Sequence, residues 1–510
     1  MVDLLKVELS QNKMMAFFVM AVFIFAFPLI LADSFYLDDN WRAQLAGMEW
    51  KEDGRILAAW LYQGLSFTQG APNIFPLPLL ISIVAMSFAL RALTNHYFLK
   101  PTVVSCLVVL PLWYSPFFLQ NLSYQYDGPA MALGVMAVIY AITFRHASLI
   151  VRTGVSALCI AIGLSLYQMV INIYLGLCCV ELIRTANECK EPRTSFIVLR
   201  DRLLQFLLAV AFYWLTAYQF ITHERTGLRE LNNGWTEKLS ADLLLAAQRV
   251  ALLYNDGNAW LCWSLLIIAF TGFGLVIYRV LRVRANILHR TVLVGLCLFA
   301  IALVLVSIPG LALIFSYYNN GARVMMGASS ALVLIFYLNY QALTAVHTRL
   351  GGLLIIPVIA MLSFSYAYGR VMYLQKELST SIAQSVTYDV ISNKDLRGVE
   401  KYYMVNNPTH GWLVGADGAF KLMPALKYVF YAKFLLLPEM LPRSTGITNV
   451  FSFDDDGRSE NVLKGIFTRV VPLVDNKFYS IYVDGVDAYI LMKTPSVDDV
   501  YFKTMHKTER

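Results

Sequence analysis

Residues 14–42 read MMAFFVMAVFIFAFPLILA followed by DSFYLDDNWR. An apolar run of this length, at ~1.5 Å rise per residue, crosses the ~30 Å hydrocarbon core of a bilayer as a helix. It ends abruptly in adjacent carboxylates, an amide, a tryptophan and an arginine. Lys6 and Lys13 precede the run, as they would in a secretory signal. The run is longer than an ordinary signal core, however, and the small-x-small site at Ala32-Asp33-Ser34 comes only after it. It therefore reads as a first transmembrane helix that delivers a polar cluster to one membrane face.

The pattern recurs along the chain. Further runs of spanning length lie near residues 74–93, 102–118, 129–144, 149–166, 169–183, 203–221, 260–278, 291–315, 328–346 and 353–368. Hydrophobic residues are 58% of 510 and the mean hydropathy is +0.57, more apolar surface than a water-soluble core of this size can bury. The expected fold class is an α-helical polytopic membrane protein of about eleven transmembrane helices, with a small mixed α/β C-terminal domain. The expected division is a membrane domain over 1–369 and an outer domain over 370–510.

Loop charges orient the bundle. The net charge of +7 arises from basic residues in short loops, among them Arg145, Arg152, Arg184, Arg200, Arg202, Arg279, Arg282 and Arg349. Cytoplasmic loops carry that bias, so these are orientation signals and nucleic acid is not an expected partner. The alternate loops are acidic: Asp33, Asp38, Asp39, Glu49, Glu52 and Asp53 follow the first run, and Glu237 and Asp242 the seventh. An odd number of spans then places the N-terminus in the cytoplasm and everything after Arg370 outside it. Seven cysteines show neither zinc spacing nor a disulfide framework.

Beyond residue 370 the long apolar runs give way to turn chemistry. Residues 370–392 and 419–434 read as amphipathic helices, and 478–483 and 486–492 alternate around Asp484-Gly485, a hairpin signal. An acidic run at 454–457 departs from calcium-loop spacing and reads as a turn.

The search for chemistry is narrowed by what the spans lack. No acid or base falls near the middle of one, whereas ion-coupled transporters place ionisable groups there. Polar residues gather instead at the outer helix ends. Asp38 and Asp39, with Arg42 three residues on and Arg55 beyond, can supply a general base and a cation for phosphate. Equally, Asp-Asp-Asn ahead of Trp-Arg suits a helix cap. Tyr126 and Asp127 end a polar stretch before Gly128-Pro129, Tyr167-Gln168 joins two nearly continuous spans, and Arg323 closes a tight outward loop. A turn cap, an interhelical hydrogen bond and a snorkelling arginine are the respective plain readings. Neither a Walker A loop nor a dinucleotide fingerprint is present.

Taken in order, Tyr36-Leu37-Asp38-Asp39 with Arg42, Gly47, Trp50 and Gly54-Arg55, then Ser123-Tyr124-Gln125-Tyr126-Asp127, then Leu166-Tyr167-Gln168, resemble the bacterial and phage O-antigen glucosyltransferases of serotype conversion, membrane enzymes of GT-C type. One departure is Ile56-Leu57 after Gly54-Arg55, where Pro-Leu is expected. The resemblance implies a GT-C-like enzyme of the bacterial inner membrane with a periplasmic site. It further implies an undecaprenyl-phosphate-glucose donor and a sugar hydroxyl of lipid-linked O-antigen as acceptor. Under it Asp39 or Asp38 is the base, with Asp39 preferred. Arg42, Arg55 or Arg323 meets the donor phosphate, Asp127, Tyr167 and Gln168 orient sugar or metal, and Tyr126 counts among the donor- or substrate-binding residues. No cofactor is obligatory on this reading, although paired carboxylates can hold Mg or Mn. The competing expectations are an O-antigen polymerase and a lipid-linked sugar flippase or transporter.

Overall fold

An apolar helix starts where a side chain can cap it. The Ser10 hydroxyl accepts from the Lys13 N–H to open helix Gln11–Ala32, and Asp33, at φ 41°, closes it in the left-handed region. The computed structural model describes residues 7–188, 192–222, 227–230, 234–283, 286–405, 413–431, 435–453 and 460–494. Among these, eight helical segments are long and apolar enough to cross a membrane: Gln11–Ala32, Leu77–Tyr97, Leu149–Leu166, Val170–Glu188, Ala259–Leu281, Ile287–Ser307, Gly327–Val346 and Thr348–Ser392. The chain is a multi-pass membrane protein.

The remaining expected spans take other forms. Asp127–Thr143 is apolar but shorter. Pro192–Leu215 is a helix of 24 residues carrying Arg200, Asp201 and Arg202 in its first half. The run at 102–118 is broken into Val103–Val109, Pro111–Tyr114 and Phe118–Ser123. Proline explains the breaks: Pro111 lacks the N–H that would continue the ladder, and Ser115 ahead of Pro116 is extended at ψ 125°.

Asp127–Thr143 packs along its successor Leu149–Leu166, and Ala259–Leu281 packs along Gly327–Val346, with Ile287–Ser307 between them in sequence. The acidic first loop, the start of Asp127–Thr143, the 166–170 junction and the loop before Gly327 thus share one end of the bundle. The arginine-rich loops share the other, where Arg202 donates to the Ala141 and Ile142 carbonyls and Arg279 to Asn187.

The span expected at 353–368 and the amphipathic helix expected at 370–392 are one element, helix Ile355–Ser392 of 38 residues. Its first half packs on Gln11–Ala32. Its second half buries Ser379, Ile382, Ala383, Val386 and Val390, a helical spacing, against a small sheet. That sheet has β1 (Lys401–Val405), β2 (Val450–Ser452), β3 (Val474–Asp475), β4 (Tyr479–Asp484) and β5 (Asp487–Met492), in the order β2-β1-β5-β4-β3. β1 runs parallel to both β2 and β5, and the other pairings are antiparallel. In the expected hairpin Asp484 pairs with Asp487, so the turn is Gly485-Val486, with Gly485 at φ 68° where a side chain would be strained.

The helix expected at 419–434 is split into Asp417–Leu422 and Pro424–Phe430, because Met423 precedes a proline and leaves the helical region. Residues 432–434, and the acidic run at 454–457, lie outside the described residues. Ala425, Leu426, Tyr428, Val429 and Phe430 join the same apolar cluster as the membrane helices. This strap reaches the polar end of the bundle.

Candidate active site

The two neighbouring carboxylates part company at the backbone. Leu37 takes a positive φ of 46°, which turns the chain so that Asp39 faces inward and opens the short helix Asp39–Leu45. The Asp39 side chain is fully buried, and its Oδ2 accepts from the backbone N–H groups of Tyr36 (3.0 Å) and Gln125 (2.8 Å). Its Oδ1 accepts from Tyr126 N–H (3.3 Å). Burial pushes its carboxyl up to about 8, against the opposing pull of these three donors. Asp39 is thus a clasp joining the first loop to the start of helix Asp127–Thr143.

Asp38 is exposed and forms no side-chain cap bond, so the capping alternative is not realised by its carboxylate. Asp127, Arg323, Arg42 and Arg55 surround it and mark out a polar recess. Desolvation there raises its carboxyl above the ordinary range and Asp127 adds to the rise, while Arg323, Arg42 and Arg55 oppose it.

Asp127 is the hub of the recess. Its Oδ1 accepts from Trp50 Nε1 (2.9 Å) and Arg55 Nη1 (3.2 Å), and Arg42 Nε lies 3.6 Å from its Oδ2. The Arg42 side chain is 5% exposed and its guanidinium sits 4.5 Å and 4.4 Å from the ring centres of Trp41 and Trp50. Arg42 is therefore held inside the wall. Arg55 is more open, at 23%. It follows Gly54, whose φ of 72° and close approach to the Tyr213 hydroxyl exclude a side chain. Arg55 Nε donates to Gln168 Oε1 (3.3 Å), and its guanidinium lies 4.9 Å from the Tyr167 ring centre. Gln168 Nε2 in turn donates to the Asp53 carbonyl (2.6 Å) and the Tyr213 hydroxyl (2.9 Å). Among the described residues no hydrogen bond occupies Arg55 Nη2.

Arg323 enters from the opposite wall on the turn Ala322–Val324. Its N–H donates to Gln120 Oε1 (2.6 Å), its carbonyl accepts from Asn121 Nδ2 (3.1 Å), and its Nη1 donates to the Tyr124 hydroxyl (2.7 Å). Gln120 Nε2 also donates to the Tyr36 hydroxyl (3.1 Å), which donates to the Phe430 carbonyl. Tyr428 Oη donates to the Asn320 carbonyl (2.7 Å), so the strap Pro424–Phe430 holds the Arg323 loop directly.

Asp38, Asp39, Arg42, Arg55, Asp127, Tyr167, Gln168 and Arg323 thus come together from four separate stretches of chain. Tyr126 does not join them through its side chain: the ring stacks on Tyr62 (5.5 Å) in an apolar cluster with Trp50, and its hydroxyl is buried without a partner. Its aromatic ring fills space in that cluster. Sequence reasoning passed over Gln120, Tyr124, Tyr213 and Tyr428. Tyr124 stands inside a quoted motif, but Tyr213 and Tyr428 carry no local signal, since their partners lie far along the chain. No group of three or more His, Cys, Asp or Glu among the described residues could hold a metal ion.

A family model described as Glucosyl transferase GtrII matches residues 27–335, which include every residue of this cluster. The chain is also similar to an "Uncharacterized 55.3 kDa protein in gtrB 5'region" of Salmonella phage P22, 24% identical over 268 residues. That alignment covers 51% of this chain and 55% of the phage protein, about half of each. No solved structure matches.

Proposed function

The chain belongs to the glucosyl transferase GtrII family, and from that premise we propose that it transfers glucose from undecaprenyl-phosphate-glucose to a sugar hydroxyl of lipid-linked O-antigen. The reaction takes place at the periplasmic face of a bacterial inner membrane. In this reading the chain crosses the membrane eleven times, residues 1–369 form the transferase domain and residues 370–510 a periplasmic domain. The observation that carries the proposal is the Asp38 carboxylate, without a hydrogen bond among the described residues and within electrostatic reach of Arg323, Arg42 and Arg55, at the end of the bundle opposite the arginine-rich loops. A polyprenyl phosphate keeps its chain in the bilayer and its headgroup at the interface, where these groups lie.

The step balances with these side chains. The acceptor hydroxyl oxygen attacks C1 of the donor glucose and its proton passes to Asp38, while the C1–O bond breaks and its electron pair leaves with polyprenyl phosphate. Arg55 and Arg323 receive the phosphate through guanidinium nitrogens not spent on Asp127, Gln168 or Tyr124. Asp38 takes the role of base in preference to Asp39, because a carboxylate that already accepts three backbone N–H groups cannot approach a substrate without breaking the loop. Asp127, Trp50, Tyr167 and Gln168 hold Arg55 in place. A divalent ion does not fit this donor set: both Asp39 oxygens are committed to backbone and Asp127 is turned to two arginines and an indole.

The test is transfer by the purified full chain in lipid vesicles containing glucose-labelled undecaprenyl-phosphate-glucose and lipid-linked O-antigen of the source strain. Label is expected on the O-antigen. Label that stays on the donor, or moves across the membrane unreacted, overturns the proposal.

A further inference from the structure

A cavity of about 550 Å³ lies beside the recess, at the seam between the first outer loop and the C-terminal part, lined by Asp33, Phe35, Asn73, Lys376, Thr380, Arg443 and Ser444 among others. We infer that it is the acceptor-saccharide subsite of the transfer, an inference that rests on the function proposed above. Its volume is that of a small-molecule site. Its chemistry suits uncharged hydroxyls better than phosphate or an isoprenoid chain. Lys376 Nζ donates to the Asp33 carbonyl (2.6 Å) and lies 3.4 Å from its carboxylate, and the Arg443 guanidinium covers the Phe35 ring at 4.6 Å, so neither cation stands alone. What remains is a mixture of amide, hydroxyl and carboxylate groups with the apolar side chains of Phe75 and Met440.

One residue joins this cavity to the reacting groups. Gln125 Nε2 donates to Asp33 Oδ1 (3.1 Å) and its Oε1 accepts from Asn73 Nδ2 (3.4 Å), while its backbone N–H holds Asp39. Asp38 lies five positions after Asp33, so their Cα atoms are at most about 18 Å apart. A short oligosaccharide bridges that gap with one hydroxyl at Asp38. The donor side, by contrast, is bounded by Arg55, Tyr167 and Arg323, close to the apolar spans. Lys376, Thr380, Arg443 and Ser444 all fall outside residues 27–335, the part that matches the family model. Acceptor choice can therefore differ between members without touching donor chemistry.

Thr380→Trp and Ser444→Trp each put a large ring into the cavity, at positions that line it away from the Asp127–Arg55 and Tyr124–Arg323 bonds. In the full-length protein both are expected to raise the KM for the lipid-linked acceptor at least about tenfold. Glucose release from the donor in the absence of acceptor should stay at the wild-type rate. An unchanged acceptor KM in both variants, or donor hydrolysis that falls in parallel, overturns the assignment. Binding is read separately by titrating oligosaccharide, released by mild acid from the lipopolysaccharide of the source strain, into wild type and both variants. Weaker binding in the variants supports the subsite, and equal or absent binding everywhere overturns it. Failure of the wild type to transfer glucose at all, with oligosaccharide binding intact, refutes the transferase reading instead.

Discussion

Asp39 accepts three backbone N–H bonds from residues up to 87 positions away, whereas Asp38 accepts none from the described residues. Replacing each by Asn separates the two roles. In Asp39→Asn the amide nitrogen is best turned toward Tyr126 N–H, leaving that donor unpaired. A loss of about 1–3 kcal/mol of stability is expected, read as a lower thermal midpoint in detergent. In Asp38→Asn the midpoint should hold, while turnover falls at least about a hundredfold because a positioned base is lost. A turnover loss confined to Asp39→Asn would reverse the assignment. The sign of the pH dependence follows from the raised Asp38 carboxyl. A base works ionised, so kcat/KM should be full above its pKa and fall as pH drops through it. That limb should lie above the ordinary aspartate value of about 3.9 and vanish in Asp38→Asn. Arg323→Lys keeps the charge but loses the planar fork shared between Tyr124 and phosphate. A fall of at least about tenfold in kcat/KM is expected, and unchanged kinetics would return Arg323 to an interfacial role.

Local elements mostly follow from local chemistry. Apolar runs became helices and Asp484-Gly485 marked a hairpin whose turn sits one residue later, whereas prolines at 111, 116 and 424 broke two runs that the sequence reads as continuous. The strap Pro424–Phe430 was legible as a helix but its place was not, because the groups it meets, Asn320 and Tyr36, lie about 100 and 400 residues away. Its contribution can be measured. Tyr428→Ala removes the bond to the Asn320 carbonyl and the ring beneath Arg249, 5.0 Å away. The Arg323 loop should then be cut sooner by added protease and turnover should fall about tenfold, with the donor still bound. Wild-type protease resistance and turnover would show that the strap does not position the loop.

On the scale of the whole molecule, the bundle separates a basic end from an end that carries the candidate site. The proposed orientation places the C-terminus outside the cytoplasm. Alkaline phosphatase, which folds only in the periplasm, should be active when fused after Arg510, and a cytoplasm-dependent reporter at the same point should be silent. The opposite pattern inverts the topology and moves the site away from a flipped polyprenyl phosphate. By itself the sequence determined the helical membrane class, the ends at which polar residues collect and most of the residues that meet there. Those depend on runs of hydrophobicity and on charges next to them, which are local properties. Only the tertiary structure decided that Asp39 is a clasp and Asp38 is open, that Arg42 and Tyr126 are packed into the wall, that the C-terminal strap holds the Arg323 loop, and that Arg443 lines the neighbouring cavity. Each of those outcomes depends on which distant donors and rings fill the space around a side chain, and neighbouring residues in sequence do not specify that.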